Sequence, residues 1–215
     1  MPSNADIVLW AVTTLAEAFA VCIFVLWRIA GEFRFFTGYL VFSLTKSVAS
    51  YVVLRQYGFL SQAYAECYWT ADVLGTIILF ASVGELASRT ARSTWLAKQI
   101  VEIFVGGFAA ALLLSIAEIP IRIMFEVSEK LFWLSGVFVF GLCIWNFWNT
   151  DWESRKRWVA FRLANVVGVY FLLNAIAYAS VYLAQGGGSF LGGLASAWLP
   201  IGASLVAISA RPSTS

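Results

Sequence analysis

An acidic and a basic side chain stand inside two long apolar stretches near the amino end of the chain. Glu17 lies about ten residues from either end of the first stretch, and Lys46 lies near the middle of the second. An ionisable group at the centre of a bilayer costs at least about 2.5–3.5 kcal/mol on insertion scales. If the stretches are antiparallel helices joined by a short loop, both side chains fall about 15 Å from the same membrane edge. We predict a Glu17–Lys46 ion pair, which is either a coupled site in an ion pathway or a structural pair that fixes helix register.

A second group of polar residues accompanies Asp72 in the third apolar stretch. Tyr68 and Trp69 precede Asp72 by about one helical turn. A later stretch carries polar side chains at four-residue spacing, on one helical face: Tyr170, Asn174, Tyr178 and Tyr182. A carboxylate near aromatic rings is the chemistry of a pocket for a cationic ligand, because ring faces attract cations. The alternative is an interfacial aromatic belt, with Asp72 reaching water or paired with Lys130.

The composition places these residues in a membrane protein. Hydrophobic residues make up 61% of the 215 positions and charged residues only 12%, against about 25% charged in soluble domains. Apolar stretches of a length that spans a bilayer recur seven times. They lie near residues 7–27, 35–54, 67–87, 100–119, 127–148, 158–184 and 190–210. Because these runs are continuous rather than alternating, we predict one all-α domain over residues 1–215, a bundle of seven transmembrane helices.

The basic residues predict the orientation of the bundle. Ten of the 14 lysines and arginines fall at one set of span ends and three at the other, with Lys46 inside a span. The positive-inside rule then puts the N-terminus outside and the C-terminus in the cytoplasm. A formal net charge of +2 gives no reason to expect a nucleic-acid partner. The expected partner is the lipid bilayer, and we expect a bacterial cytoplasmic (inner) membrane.

Several kinds of chemistry are excluded by residues that the sequence lacks. It contains no histidine, which removes His-ligated haem, His-zinc sites and Ser-His-Asp triads. The last predicted span has no lysine, which excludes a retinal Schiff base there. Three cysteines without a CxxC spacing suggest no metal or disulfide. We therefore expect no cofactor, no metal and no assignable catalytic residue.

Small residues recur at helical spacing in two of the predicted spans, where they would let helix backbones approach closely. The glycines concerned are Gly106 and Gly107 in one span, and Gly188, Gly192 and Gly193 at the start of the last one. These faces either pack within the chain or form an interface in a homo-oligomer or a larger membrane complex.

The segment Tyr68-Trp69-Thr70-Ala71-Asp72, with Phe80 and then Glu85-Leu86, resembles a segment of short, uncharacterised seven-helix bacterial membrane proteins. The resemblance covers about 20 residues and brings no activity with it. It implies that Tyr68, Trp69, Asp72 and Glu85 are the residues to test first.

Three functions remain open from the sequence. The first is a transporter- or sensor-like membrane protein that handles a small ligand or ion, with a polar site inside the bundle. Its residues would be Glu17, Lys46, Asp72, Tyr68, Trp69, Tyr170, Asn174 and Tyr178. The second is a non-catalytic structural or accessory subunit of a larger assembly or homo-oligomer. An intramembrane enzyme acting on lipid ranks third, because no nucleophile–base spacing is present.

Overall fold

The computed structural model describes residues 4–58, 60–90, 121–148, 155–184 and 188–210, with the isolated positions 95, 98, 99, 102 and 106. Every long element in these ranges is an α-helix, and the described residues include no β-strand. The helices are α1 (Asn4–Leu26), α2 (Arg34–Tyr57), α3 (Gln62–Thr90), α4 (Ile121–Trp148), α5 (Arg155–Ala184) and α6 (Gly188–Ser209). The prediction of an all-α fold is confirmed for this part of the chain.

Four of the helices contain segments that are long and apolar enough to cross a membrane. The segments are Ile7–Leu26, Arg34–Tyr57, Gln62–Thr90 and Arg157–Ala179. Two shorter apolar segments, Leu131–Leu142 and Gly193–Ser209, lie in α4 and α6. The predicted span at 100–119 lies outside the described residues, apart from Glu102 and Gly106. These lengths and compositions are compatible with an integral membrane protein.

Several helices extend beyond the spans predicted from apolarity. Helix α2 continues to Tyr57 rather than 54, and α3 begins at Gln62 rather than 67. Backbone hydrogen bonds stabilise a helix wherever they can form, so its ends need not coincide with the limits of its apolar run. The extra turns of α3 carry Tyr64 and Glu66 beyond its apolar centre.

The helices pack around a core that is apolar at its centre. Helix α1 contacts α2 and α6, α2 contacts α3, α3 contacts α4 and α5, and α5 contacts α4 and α6. Phe24 on α1 and Phe36 and Leu40 on α2 are fully buried in this core. Large apolar side chains also cover the outside, such as Leu15 and Leu26 on α1, which are 70% and 74% exposed. An apolar outer surface is expected where helices face lipid.

The start of α2 is held by a side chain from α3. Phe33 occupies the N-cap position and has no side-chain oxygen to accept the first amide hydrogens. The carboxylate of Glu85 accepts them instead, from the backbone N–H groups of Arg34, Phe35 and Phe36 at 2.8, 2.9 and 3.0 Å. Glu85, singled out by the sequence resemblance, therefore fixes where α2 begins relative to α3.

One glycine of the predicted small-residue faces lies at a close helix contact within the chain. A Cβ atom added at Gly193 of α6 would lie 2.2 Å from Cδ2 of Leu9 on α1. Gly188 and Gly192 lie on the same helix, Gly106 is helical and exposed, and Gly107 lies outside the described residues. Helix α6 can approach α1 this closely because Gly193 has no side chain.

Candidate functional site

The ammonium group of Lys46 pairs with Asp72, across the contact between α2 and α3. Its Nζ atom lies 2.7 Å from Oδ1 of Asp72 and 5.1 Å from the centre of the Tyr68 ring. The side chains of Lys46 and Asp72 are 23% and 46% exposed. The predicted Glu17–Lys46 ion pair is therefore wrong, and Asp72 has a cationic partner within the chain. The Lys130 side chain lies outside the described residues, so its pairing with Asp72 stays a prediction.

The partners of Glu17 are hydroxyl groups and not a cation. It is 3% exposed, and its two carboxylate oxygens accept hydrogen bonds from Ser43 and from Ser47, the latter at 2.9 Å. A buried carboxylate is costly unless hydrogen bonds replace its hydration. No basic group forms an ion pair with it in the described ranges.

Lys46 lies on a different face of α2 from Ser43 and Ser47, which explains why it pairs with Asp72 and not with Glu17. Successive residues of a helix turn by about 100°, so Ser43 and Ser47 share one face, whereas Lys46 is rotated away from both by about 60–100°. The first face meets α1 and the second meets α3. The sequence analysis matched Glu17 to the right depth on α2, because Ser43 and Ser47 bracket Lys46, but not to the right face.

The hydroxyl-bearing face of α2 continues beyond Glu17. Ser50 follows Ser47 by three residues, and its Oγ is buried without a hydrogen-bond partner among the described residues. One turn beyond Ser47, the ring of Tyr51 stacks on Trp10 of α1, with the centroids 4.4 Å apart. Toward the other end of α2 the same interface is apolar, since Phe36 and Leu40 are fully buried. Along α2, the interface next to Glu17 is therefore polar toward Tyr51 and apolar toward Phe36.

Tyr39, which the sequence analysis did not single out, brings α5 into the site. It is buried on α2, one turn before Ser43, and its phenol lies near that of Tyr170 on α5. Glu17 and Asp72 are both close enough to Tyr39 to act on it electrostatically. The four-residue spacing Tyr39, Ser43, Ser47 is the signal in the sequence that could have found it.

The predicted polar stripe of α5 divides between two neighbours. Tyr170 joins Tyr39, whereas the Tyr178 hydroxyl lies 3.4 Å from Oε1 of Glu129 on α4. The amide of Asn174 donates to the backbone carbonyl of Tyr170 at 2.9 Å, within its own helix. The structure thus places Tyr170 near Tyr39 and Tyr178 in a separate contact.

The aromatic rings next to Asp72 form a small group on α3. The ring of Tyr68 stacks on Tyr64, with centroids 6.1 Å apart, and meets Trp69 edge to face at 5.4 Å. Tyr68 and Trp69 are 38% and 46% exposed. Asp72 and the Tyr68 ring thus lie on either side of one cation, the ammonium group of Lys46. The predicted pocket for a separate cationic ligand stays a prediction.

These residues make up one polar cluster inside the bundle: Glu17, Tyr39, Ser43, Lys46, Ser47, Tyr68, Asp72 and Tyr170. With both acids ionised, the described cluster has two carboxylates and one ammonium, which leaves one negative charge. No set of three metal-ligating acids, cysteines or histidines occurs within the described part of the chain. The cluster therefore offers a place for one more unit of positive charge.

Comparisons with known proteins leave the chain without a counterpart: no family model, no curated protein and no solved structure matches it. Its function has to be inferred from the polar cluster.

Proposed function

We propose that the protein is an integral membrane protein that handles a small cation, as a transporter or a sensor, through the polar cluster inside its bundle. The observation that carries this proposal is that the cluster holds two acids and one lysine: Lys46 pairs with Asp72, and Glu17 has only serine hydroxyls as hydrogen-bond partners in the described residues. Charges at membrane depth are expensive and are commonly retained for pathways and relays. A proton or a small cation would balance the remaining negative charge.

Cation flux into liposomes tests this function. The purified protein is reconstituted, and uptake of protons, sodium or methylammonium is followed with the wild type, Asp72→Asn and Glu17→Gln. We expect uptake in the wild type and at least a tenfold loss in both variants. Glu66→Gln is the matched control, because Glu66 is exposed on α3 and bonds only Gln62 in the described structure. Uptake that is equal in all four proteins would contradict a role for the cluster.

We further propose seven membrane spans with the N-terminus outside, which rests on the distribution of basic residues. A short epitope tag at each end of the chain tests this orientation in intact and in permeabilised cells. The N-terminal tag should be accessible in intact cells, and the C-terminal tag only after permeabilisation. Access to both tags from the same side would exclude an odd number of spans.

The mass of the intact particle in mild detergent separates this proposal from an accessory subunit. A monomer that retains a small cation supports handling by the cluster. A ring or a co-purifying complex without a bound molecule would favour the assembly subunit instead. The packing of Gly193 against Leu9 within one chain already uses part of the glycine face that such an assembly would need.

A further inference from the structure

Asp72 and Tyr68 together have the chemistry of an ammonium site. The carboxylate accepts a charge-assisted hydrogen bond of 2.7 Å from Nζ of Lys46, and the ring lies 5.1 Å from the same atom. Carboxylates and aromatic faces are the two groups that recognise ammonium ions most directly. We call this pair the ammonium cage, and its resident occupant is a side chain of the protein itself.

The cage lies at the outer side of the contact between α2 and α3. Asp72 and Tyr68 are 46% and 38% exposed, whereas Lys46 is 23% exposed. The occupant therefore lies deeper than the groups that hold it. Part of the Asp72 carboxylate is therefore left uncovered by the protein.

Lys46 has a second acid within its surroundings. Glu17 lies on the neighbouring α1–α2 interface and is close enough to Lys46 for an electrostatic interaction. It forms no ion pair in the described ranges, and its hydrogen bonds come from serine hydroxyls that can turn to other acceptors. A lysine ammonium on its flexible four-carbon stem can change partners by rotation of side-chain bonds alone.

We propose that the ammonium cage binds a primary ammonium ion, and that Lys46 is a tethered competitor that turns from Asp72 to Glu17 when the ion enters. This inference rests on the proposed function, since it names the class of cation. Total charge is balanced in the bound state, because two carboxylates then face two ammonium groups. Lys46 thereby links the binding of an ion in the cage to whether Glu17 has an ionic partner.

Chemical rescue tests the cage directly. In Lys46→Ala the cage is vacant, and n-butylammonium has the four carbons and the ammonium group of a whole lysine side chain. We expect it to bind this variant at least tenfold more tightly than the wild type, measured as a shift in thermal unfolding. The gain should disappear in Lys46→Ala/Asp72→Asn and with neutral n-butanol. Lys98→Ala is the matched control, because Lys98 is exposed and lies 3.7 Å from Glu102.

A measurement on the wild-type residue does not depend on whether the variant folds. Protein labelled with ¹⁵N at the lysine Nζ atoms is titrated with methylammonium, with Lys98 as the internal reference. The Lys46 signal should shift, and the concentration at half-effect should rise at least tenfold in Glu17→Gln. Sodium should need at least a tenfold higher concentration than methylammonium.

The outcomes separate this inference from the proposed function. Cation flux that depends on Asp72, without rescue by n-butylammonium and without movement of the Lys46 signal, would overturn the ammonium cage alone. Rescue and movement without any flux or retained cation would support the cage and remove the transport proposal. Rescue that survives Asp72→Asn would also overturn the cage.

Discussion

The two acids of the polar cluster are stabilised in different ways. Glu17 is almost completely buried and is solvated by serine hydroxyls, whereas Asp72 remains half-exposed and has an ammonium partner. Removing hydration from a carboxylate is tolerated only when other donors replace it. Loss of a donor should therefore matter more for Glu17 than for Asp72.

Ser47→Ala should destabilise the protein through Glu17. The substitution removes the 2.9 Å hydrogen bond to a buried carboxylate, and we expect a loss of about 1–2 kcal/mol in the free energy of unfolding. The same substitution in a Glu17→Gln background should cost about half as much, because the acceptor is then neutral. Thr45→Ala is the control, since the Thr45 hydroxyl donates only to the Val41 carbonyl in its own helix. Equal losses in both backgrounds would show that Ser47 does not act through the carboxylate.

A double-mutant cycle should assign the partner of Lys46. Substitution of Lys46 by Met and of Asp72 by Asn, separately and together, should give a coupling free energy of about 1–3 kcal/mol in unfolding. The cycle of Lys46 with Glu17→Gln should give less than half of that value, because those charges are not in contact. A larger coupling free energy between Lys46 and Glu17 than between Lys46 and Asp72 would instead support the Glu17–Lys46 ion pair predicted from the sequence.

Sequence reasoning could place the charged residues by depth but not by direction. Depth follows from counting residues along each span, and that count brought Glu17 to the level of Ser43 and Ser47 on α2. Direction depends on which neighbours α2 has on each side, and only the packing of α3 against it determines that Lys46 meets Asp72. Tyr39 was missed because a tyrosine in an apolar run resembles any other core aromatic residue.

At the scale of helices, Glu85 acts as an N-cap from a distance. Glu85→Ala would leave the first three amide groups of α2 without their acceptor, which should cost about 1–2 kcal/mol in the free energy of unfolding. Hydrogen exchange at Arg34, Phe35 and Phe36 should become faster in the same variant. Glu85→Gln should cost less, since its carbonyl oxygen still accepts.

The control for this prediction lies on the same helix. Glu66→Ala removes an exposed carboxylate of α3 that bonds only Gln62 within the described residues, and it should leave the exchange at the start of α2 unchanged. Faster exchange throughout α2 in both variants would mean that α3 has been loosened generally, and that the cap has no specific effect.

The sequence could predict that these elements are helices and not strands, but it could not predict where they begin and end. Continuous apolar runs allow a helix and not a half-buried strand, and the described elements agree. The start of α2 at Arg34 depends on Glu85, which is 51 residues away along the chain. No local signal at Phe33 announces a helix start, because the acceptor belongs to another element.

At the scale of the whole molecule, two glycines set how closely α6 can approach its neighbours. A Cβ at Gly202 would lie 2.7 Å from Cγ1 and 3.0 Å from Cγ2 of Val166 on α5. The same two helices are also joined by a hydrogen bond, because the Val166 carbonyl accepts from Nε1 of Trp198 on α6 at 3.1 Å. A β-branched side chain has little rotamer freedom in a helix, so α6 itself would have to move.

Gly202→Ala should therefore destabilise the bundle by about 1–3 kcal/mol. Gly193→Ala should cost less, because the atom nearest its added Cβ is the end of the Leu9 side chain, which can rotate. Gly38→Ala is the control: no atom lies within 4 Å of its added Cβ, and alanine should stabilise α2 by about 0.5–1 kcal/mol. Thermal unfolding in detergent measures all three, and a stabilising Gly202→Ala would show that α5 and α6 are not in close contact.

The cap that Glu85 provides for α2 also has a consequence for biogenesis. During synthesis the first turn of α2 emerges 51 residues ahead of its acceptor. If the chain is inserted into a membrane as it is made, the hairpin of α1 and α2 would therefore enter before its second helix has a fixed beginning. That beginning becomes defined only when most of α3 has left the ribosome. Truncated nascent chains that end just before and well after residue 85 should accordingly differ in how firmly residues 34–36 are anchored, and the first three helices should insert as one topological unit.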